Sequence, residues 1–130
     1  MEYLGPVRVS DVEAMQQVIV DATSARSEEL VQLDTLRSQH KVWFCSEHML
    51  GYCAYVDRFA GNLQGVEQRI PHLQNLGVSY LHLLPFLKAR KGENDGGFAV
   101  ASFEEIQAEL GTLDDLQNLT RSLRRAGISL

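Results

Sequence analysis

The sequence predicts an α/β fold on a parallel sheet, and three observations point there. Residues 49–56 and 78–84 are short apolar runs with almost no polar alternation, the pattern of strands buried on both faces. A stripe at helical spacing, Val66, Ile70 and Leu73, separates them. The junction of helix, glycine and apolar strand then occurs twice, at residues 73–79 and 123–129, with Gly77 and Gly127 50 positions apart. Strand–helix–strand–helix–strand with two-sided burial implies right-handed βαβ units and parallel pairing.

Ahead of the sheet lies a helical lead-in. Ser10-Asp11-Val12-Glu13 reads as a capping box, a hydroxyl acceptor with a glutamate three residues later. Val12, Met15, Ile19 and Ala22 follow at helical spacing. A second helix is expected from about Ser27, with Glu28 and Glu29 in its first turn and Leu30, Leu33 and Leu36 on one side. Trp43 and Phe44 are expected to close this segment as a hydrophobic plug.

The first strand is followed by Asp57-Arg58-Phe59-Ala60-Gly61-Asn62-Leu63, expected to be a loop. In the next helix Pro71 removes an interior hydrogen bond, so the helix either kinks or begins there. Gly77 is placed as a left-handed C-cap, and Pro85 stops the second strand. Residues 86–102 read as a long irregular segment. Thr112 with Asp115 resembles another N-cap, Leu113, Leu116, Leu119 and Leu123 form a core stripe, and Gly127 ends that helix. Ile128-Ser129-Leu130 opens a third strand, too short for its place because strands usually run about five or six residues. An isolated three-strand parallel sheet would also leave both edges unpaired, so the chain is expected to be a cut part of a larger fold.

Composition narrows the function classes. The 130 residues carry 12 Lys+Arg and 17 Asp+Glu, a formal charge of −5, with 45% apolar and 22% charged residues. That excludes an intrinsically disordered chain. A pI near 5.3 argues against nucleic acid or an anionic membrane as partner, since both require a cationic field. Two cysteines make no disulfide framework. Met1-Glu2-Tyr3-Leu4-Gly5-Pro6 lacks a basic region followed by an apolar run, and no stretch approaches a membrane span. A cytoplasmic protein with free thiols is expected. His48 between Cys45 and Cys53 raises zinc, but the paired short gaps of structural zinc sites are absent, and packed thiols are the preferred reading. No metal and no cofactor are expected.

Ligands of α/β folds meet the loops at the C-terminal ends of strands. Asp95, between Asn94 and Gly96-Gly97, offers a carboxylate where backbone can approach a ligand, and Phe98 adds a flat apolar face. A carboxylate beside an aromatic platform suits a sugar, whose hydroxyls seek acceptors and whose C–H faces seek a ring. The same residues also make a tight turn, and both readings stay open. Lys88, Arg90 and Lys91 suit phosphate, or simply a solvated loop diluted by Glu93 and Asp95. Arg121, Arg124 and Arg125 suit a helix C-terminus. His82, in an apolar strand, reads as a hydrogen-bonded core group, and His40, His48 and His72 have no partner at recognisable spacing. No nucleophile triad, P-loop or dinucleotide fingerprint is present.

Gly51-Tyr52-Cys53-Ala54-Tyr55-Val56-Asp57-Arg58-Phe59-Ala60-Gly61-Asn62-Leu63 resembles the first barrel strand and following turn of amylosucrases, in glycoside hydrolase family 13 of the α-amylase superfamily. Gly77-Val78-Ser79-Tyr80-Leu81-His82-Leu83-Leu84-Pro85 is similar to their second strand, and Asn94-Asp95-Gly96-Gly97-Phe98-Ala99-Val100 to the active-site loop after it. Arg26-Ser27-Glu28-Glu29-Leu30, with Arg37 and Trp43-Phe44, resembles the end of their N-terminal helical domain.

The resemblance implies a partial (β/α)8 TIM barrel, namely its first two βα units and the start of a third strand, after a small helical segment. The boundaries are 1–44 for the helical segment and 45–130 for the barrel part. It implies glucose transfer from sucrose to an α-1,4-glucan with release of fructose, so sucrose and α-glucan are the implied partners. It also implies that Asp95 walls off the sucrose pocket and that Phe98, where the broader family commonly has tyrosine, stacks on the glucosyl ring. The family's nucleophile and acid/base carboxylates match no residue of this chain, so no catalytic residue is assigned and the chain alone is expected to be inactive. The alternatives are a related α-glucoside hydrolase or sucrose phosphorylase, and a non-enzymatic α/β module that self-associates through its open sheet edge.

Overall fold

The computed structural model describes residues 8–93 and 95–130. The N-terminal residues read above for a leader, and Asn94, lie outside the described residues. The chain divides into two compact units, Met1–Trp43 and Phe44–Leu130.

In the first unit α1 runs over Val9–Ser24 and α2 over Glu28–Gln39. The start of α1 corrects the expected cap. The Asp11 carboxylate accepts the Arg8 N–H at 3.1 Å, so the helix begins at Val9 and Ser10 lies inside it. Ser27 stands at the N-cap of α2 as expected, with Glu28 and Glu29 in the first turn, and Arg26 pairs with Asp34. The helical spacings are real, but neither helix has a buried residue: Met15 is 66% exposed, and Val12, Ile19 and Leu36 are exposed too. Trp43 is half-buried beneath the Arg37 guanidinium, 3.8 Å from its ring centre, a cation–π contact, and Phe44 is 57% exposed.

The second unit opens with a 3-10 turn over Trp43–Cys45, of which Phe44 and Cys45 belong to it, and then β1, Gly51–Ala54. The expected loop after β1 is helical: α3 (Val56–Ala60), α4 (Leu63–Gln68) and α5 (Ile70–Asn75). Asn62 caps α4 by accepting the Gly65 N–H at 2.8 Å, and buried Val56, Leu63 and Val66 reward the extra turns. Pro71 sits in the first turn of α5, which begins at Ile70, where its missing N–H costs nothing. The second strand, β2, is Tyr80–Leu83, parallel to β1 with Tyr52 opposite Leu81 and Ala54 opposite Leu83. The last helix, α6, is Leu113–Arg125, with Arg124 and Arg125 in its final turn.

Both glycine junctions close in the same way. Gly77 (φ 77°) donates to the Gln74 carbonyl at 2.9 Å and Val78 to Leu73 at 3.0 Å. Gly127 (φ 75°) donates to Arg124 at 3.0 Å and Ile128 to Leu123 at 2.9 Å. These are Schellman closures, with the apolar residue after each glycine buried over the helix end. Ser79 then joins the strand entrances. Its hydroxyl accepts from Leu50 N–H at 2.9 Å and donates to the His48 carbonyl at 3.1 Å, and its carbonyl accepts from Ser129 N–H at 2.9 Å. Ser129 bridges Tyr80 in parallel, so the short third strand starts beside β2 as expected.

Burial on both strand faces does not hold. Leu81 and Leu83 are buried against the helices, whereas Tyr80 and His82 are exposed, and β1 alternates in the same sense with Cys53 exposed. The core of Val56, Leu63, Val66, Ile70, Leu73, Val78, Leu81, Leu83, Ile106, Leu119, Leu123 and Ile128 lies on the helix side alone. In a closed (β/α)8 barrel the other face is filled by side chains of further strands, and two paired strands supply none. His82 is therefore hydrogen-bonded (Nδ1 to Tyr80 Oη, 3.2 Å) but exposed. The packed-thiol expectation fails likewise, for Cys45 and Cys53 are both free and exposed. Leu113 is exposed at the start of α6, which leaves Leu119 and Leu123 as the buried part of its stripe.

Two polar links fasten α6 to α4. Thr112 and Asp115 form the expected capping box, with Asp115 N–H donating to Thr112 Oγ1 at 3.2 Å and Thr112 N–H to Asp115 Oδ2 at 2.8 Å. Gln64 of α4 donates to Asp115 Oδ1 at 2.8 Å. Hydrogen bonds from Gln64, then Thr112, hold the Asp115 carboxyl below its ordinary value. One helical turn from the far end of α6, Ser122 donates to Glu67 Oε1 at 2.5 Å. On its other side α4 comes close to α3 at Gly65, where an added Cβ would lie 2.0 Å from the Ala60 carbonyl oxygen. At Gly77 an added Cβ meets nothing within 4 Å and only the backbone angle resists it. Gly65→Ala is therefore expected to destabilise by about 3 kcal/mol, the upper range for overpacking, and Gly77→Ala by about 1 kcal/mol, the left-handed backbone term. Denaturant midpoints of the two variants check the order; equal losses would contradict it.

Candidate functional site

The C-terminal ends of β1 and β2 meet at Tyr55 and Pro85, and the segment after Pro85 returns to them. Residues expected to be irregular form a narrow antiparallel ribbon bridged at Leu87–Ile106 and Ala89–Val100. Lys88 N–H donates to the Glu105 carbonyl at 2.8 Å, Ala101 N–H to Lys88 at 2.8 Å, and Gln107 N–H to Phe86 at 2.9 Å. Buried Ile106 fastens the returning arm to the core. An ion pair, Lys88 Nζ to Glu105 Oε2 at 2.6 Å, ties the arms on the outside. Lys88 is thus engaged in the ribbon, while Arg90 and Lys91 are exposed along it.

The ribbon tip holds both sequence-predicted site residues. Asp95 is exposed, and its Oδ1 accepts the Ala99 N–H at 2.9 Å, so the turn reading is realised; Oδ2 carries no bond among the described residues. Gly96 (φ 84°) and Gly97 (φ 90°) lie in the left-handed region, which glycine alone adopts readily. They bring the tip against the strand ends. A Cβ on Gly97 would lie 3.2 Å from Pro85 Cβ, and one on Gly96 would lie 3.4 Å from Tyr55 Oη and 3.8 Å from the Phe98 ring. Phe98 is 59% exposed, its ring open to solvent. Carboxylate, aromatic face and strand-end phenol thus share one corner.

Tyr55 and Pro85 were not singled out from the sequence as site residues. The usable signal was position, because each ends an apolar run where α/β ligands gather. An open depression of about 490 Å³ lies elsewhere, lined by Asp57, Arg58, Phe59 and Arg69 among others, and shares no residue with the ribbon tip. The ribbon tip differs from it in bringing an acceptor, a ring and glycine-rich backbone together at the strand ends. Among the described residues no three His, Cys, Asp or Glu side chains converge as metal ligands, and no helix is long and apolar enough to cross a membrane.

A family model for the alpha-amylase catalytic domain matches residues 19–130. A trehalose synthase/amylase TreS of Mycobacterium tuberculosis is 30% identical over 125 residues, 96% of this chain and 20% of the relative. A trehalose-6-phosphate hydrolase of Escherichia coli is 36% identical over 70 residues, 54% of this chain and 12% of the relative. Among solved structures, a protein described as a family GH13_31 enzyme superposes with a TM-score of 0.57 at 33% identity, covering 66% of this chain and 17% of its own. The chain thus spans a fifth or less of the length of these relatives.

The Lys88 hydrogen bond and charge hold the Glu105 carboxyl below its ordinary value. A depressed carboxyl contributes stability above its unfolded pKa and loses it as pH falls through the folded value. Ribbon amide signals, Ala101 above all, are expected to hold through the ordinary carboxylate range and to shift only below it. In Glu105→Gln that low-pH transition should vanish, and an NMR pH titration that finds it unchanged would assign it to another group.

Proposed function

The chain belongs to the alpha-amylase catalytic-domain family, and we propose that it forms the opening part of a (β/α)8 barrel acting on α-glucosides. The observation that carries the reading is the ribbon tip. It holds the Asp95 carboxylate and the open Phe98 ring at the C-terminal ends of β1 and β2, the end where barrel chemistry is built. In this reading Phe98 stacks on an apolar sugar face and Asp95 Oδ2 accepts from a sugar hydroxyl. The finer reading is amylosucrase-like: glucosyl transfer from sucrose to an α-1,4-glucan, resting on the strand and loop motifs quoted above. The names of the trehalose-active relatives support a hydrolase of another α-glucoside at least as much. Exposed free thiols at Cys45 and Cys53 suit a reducing, cytoplasmic setting.

Retaining glycosidic chemistry requires a nucleophile and an acid/base carboxylate about 5 Å apart. Neither is assigned to a residue of this chain, and the proposal gives the chain a binding role alone. A second reading, self-association through the sheet edge, draws on β1, which among the described residues pairs with β2 alone and leaves its other backbone edge open. Light scattering that finds a monodisperse oligomer would favour it.

Two experiments test the main reading. Incubation of the chain with sucrose, trehalose or maltose is expected to release no monosaccharide above a buffer blank, and release would contradict the binding-only role. Titration of the labelled chain with sucrose and, separately, trehalose is expected to move amides 95–100 first, with Phe98→Ala abolishing the response. Larger shifts with trehalose would select the hydrolase alternative, and shifts confined to other residues would overturn the assignment of the tip.

A further inference from the structure

Phe98 presents a ring without a hydroxyl, yet its corner does not lack one. Tyr55 ends the β1 run, half-buried, and its hydroxyl makes no hydrogen bond among the described residues. The point a Gly96 Cβ would occupy is 3.4 Å from that hydroxyl and 3.8 Å from the Phe98 ring, so phenol and ring flank the same glycine. A phenol oxygen both donates and accepts, and a partly desolvated hydroxyl without a protein partner gains most from a ligand that pairs it. Gly96 has no side chain to stand between them.

We infer that Tyr55 is a specificity-determining residue of the ribbon-tip site, its hydroxyl pairing with a hydroxyl of the sugar ring stacked on Phe98. This rests on the reading of the tip as a sugar site. The ring supplies apolar contact that any pyranose satisfies. Asp95 supplies acceptors only, one of them already committed to Ala99. The Tyr55 phenol adds a donor, so the corner can address a sugar hydroxyl as acceptor. Discrimination between α-glucosides would then depend on which of them sets a hydroxyl over Gly96.

Sucrose titration of the labelled chain, compared with Tyr55→Phe and Phe98→Ala, tests this. Loss of one neutral hydrogen bond is worth about five-fold in affinity. Tyr55→Phe is expected to weaken sucrose binding by that factor while leaving the unfolding midpoint and the sugar-free amide shifts of residues 95–100 unchanged. A Tyr55→Phe titration equal to the parent, with Phe98→Ala still abolishing it, would overturn the Tyr55 assignment and leave the sugar site standing. Displaced tip amides in sugar-free Tyr55→Phe would also overturn it, by making the hydroxyl part of the loop's own structure. No sucrose response in the parent chain would overturn the sugar site itself, and the Tyr55 role with it.

Discussion

Left-handed closure of a helix onto the strand that follows it organises the second unit. At Gly77 and again at Gly127 the chain turns through a conformation only glycine adopts without strain, and the next residue is driven into the core over the helix end. Val78 over Leu73 and Ile128 over Leu123 fix both the direction and the depth at which each strand leaves its helix. Ser79 and Ser129 follow at equivalent positions and pair with each other, so the repeat seen along the chain becomes a repeat in space. Register follows, and with it which residues reach the C-terminal strand ends.

Sidedness is the second consequence. With helices on one side and two paired strands on the other, every buried residue of the sheet points the same way. The polar links of α6, Gln64 to Asp115 and Ser122 to Glu67, lie across the α4–α6 contact and hold the helices over that single core. Near the surface such bonds contribute little each, and their effect is geometric: they fix how α6 lies on α4. The depth at which Ile128 enters the core, and therefore the strand that begins there, depends on that placement.

Much of this was legible along the chain, and the failures have a common cause. Ser27, Thr112 with Asp115, Gly77, Gly127 and the parallel order follow from local rules that act within a few residues. What failed depended on distant partners. The apolar runs of β1 and β2 were read as buried on both faces, yet burial is decided by what lies opposite, and Cys53 and His82 have nothing there. Ser10 is not the cap because the helix already starts at Val9, with the Asp11 carboxylate accepting the Arg8 N–H. The ribbon of residues 86–107 has no alternating pattern to announce it, and it is held by Ile106 and by Lys88 with Glu105, side chains that meet only after folding. For the site, Asp95 and Phe98 were named together and do stand together at the tip. Tyr55 was missed because no short-range pattern distinguishes a strand-end tyrosine from a core one.

The displaced carboxyls serve the fold. A general acid at neutral pH requires a carboxyl raised by burial or by a like charge. Glu105 and Asp115 are displaced the other way, by Lys88 and by Gln64 with Thr112, and both are committed to holding the fold. The ribbon tip brings together the Asp95 carboxyl, the Phe98 ring and the Tyr55 phenol, groups that in the proposed reading orient a sugar. Orientation has catalytic value only when a nucleophile waits at the far side of the bound ring.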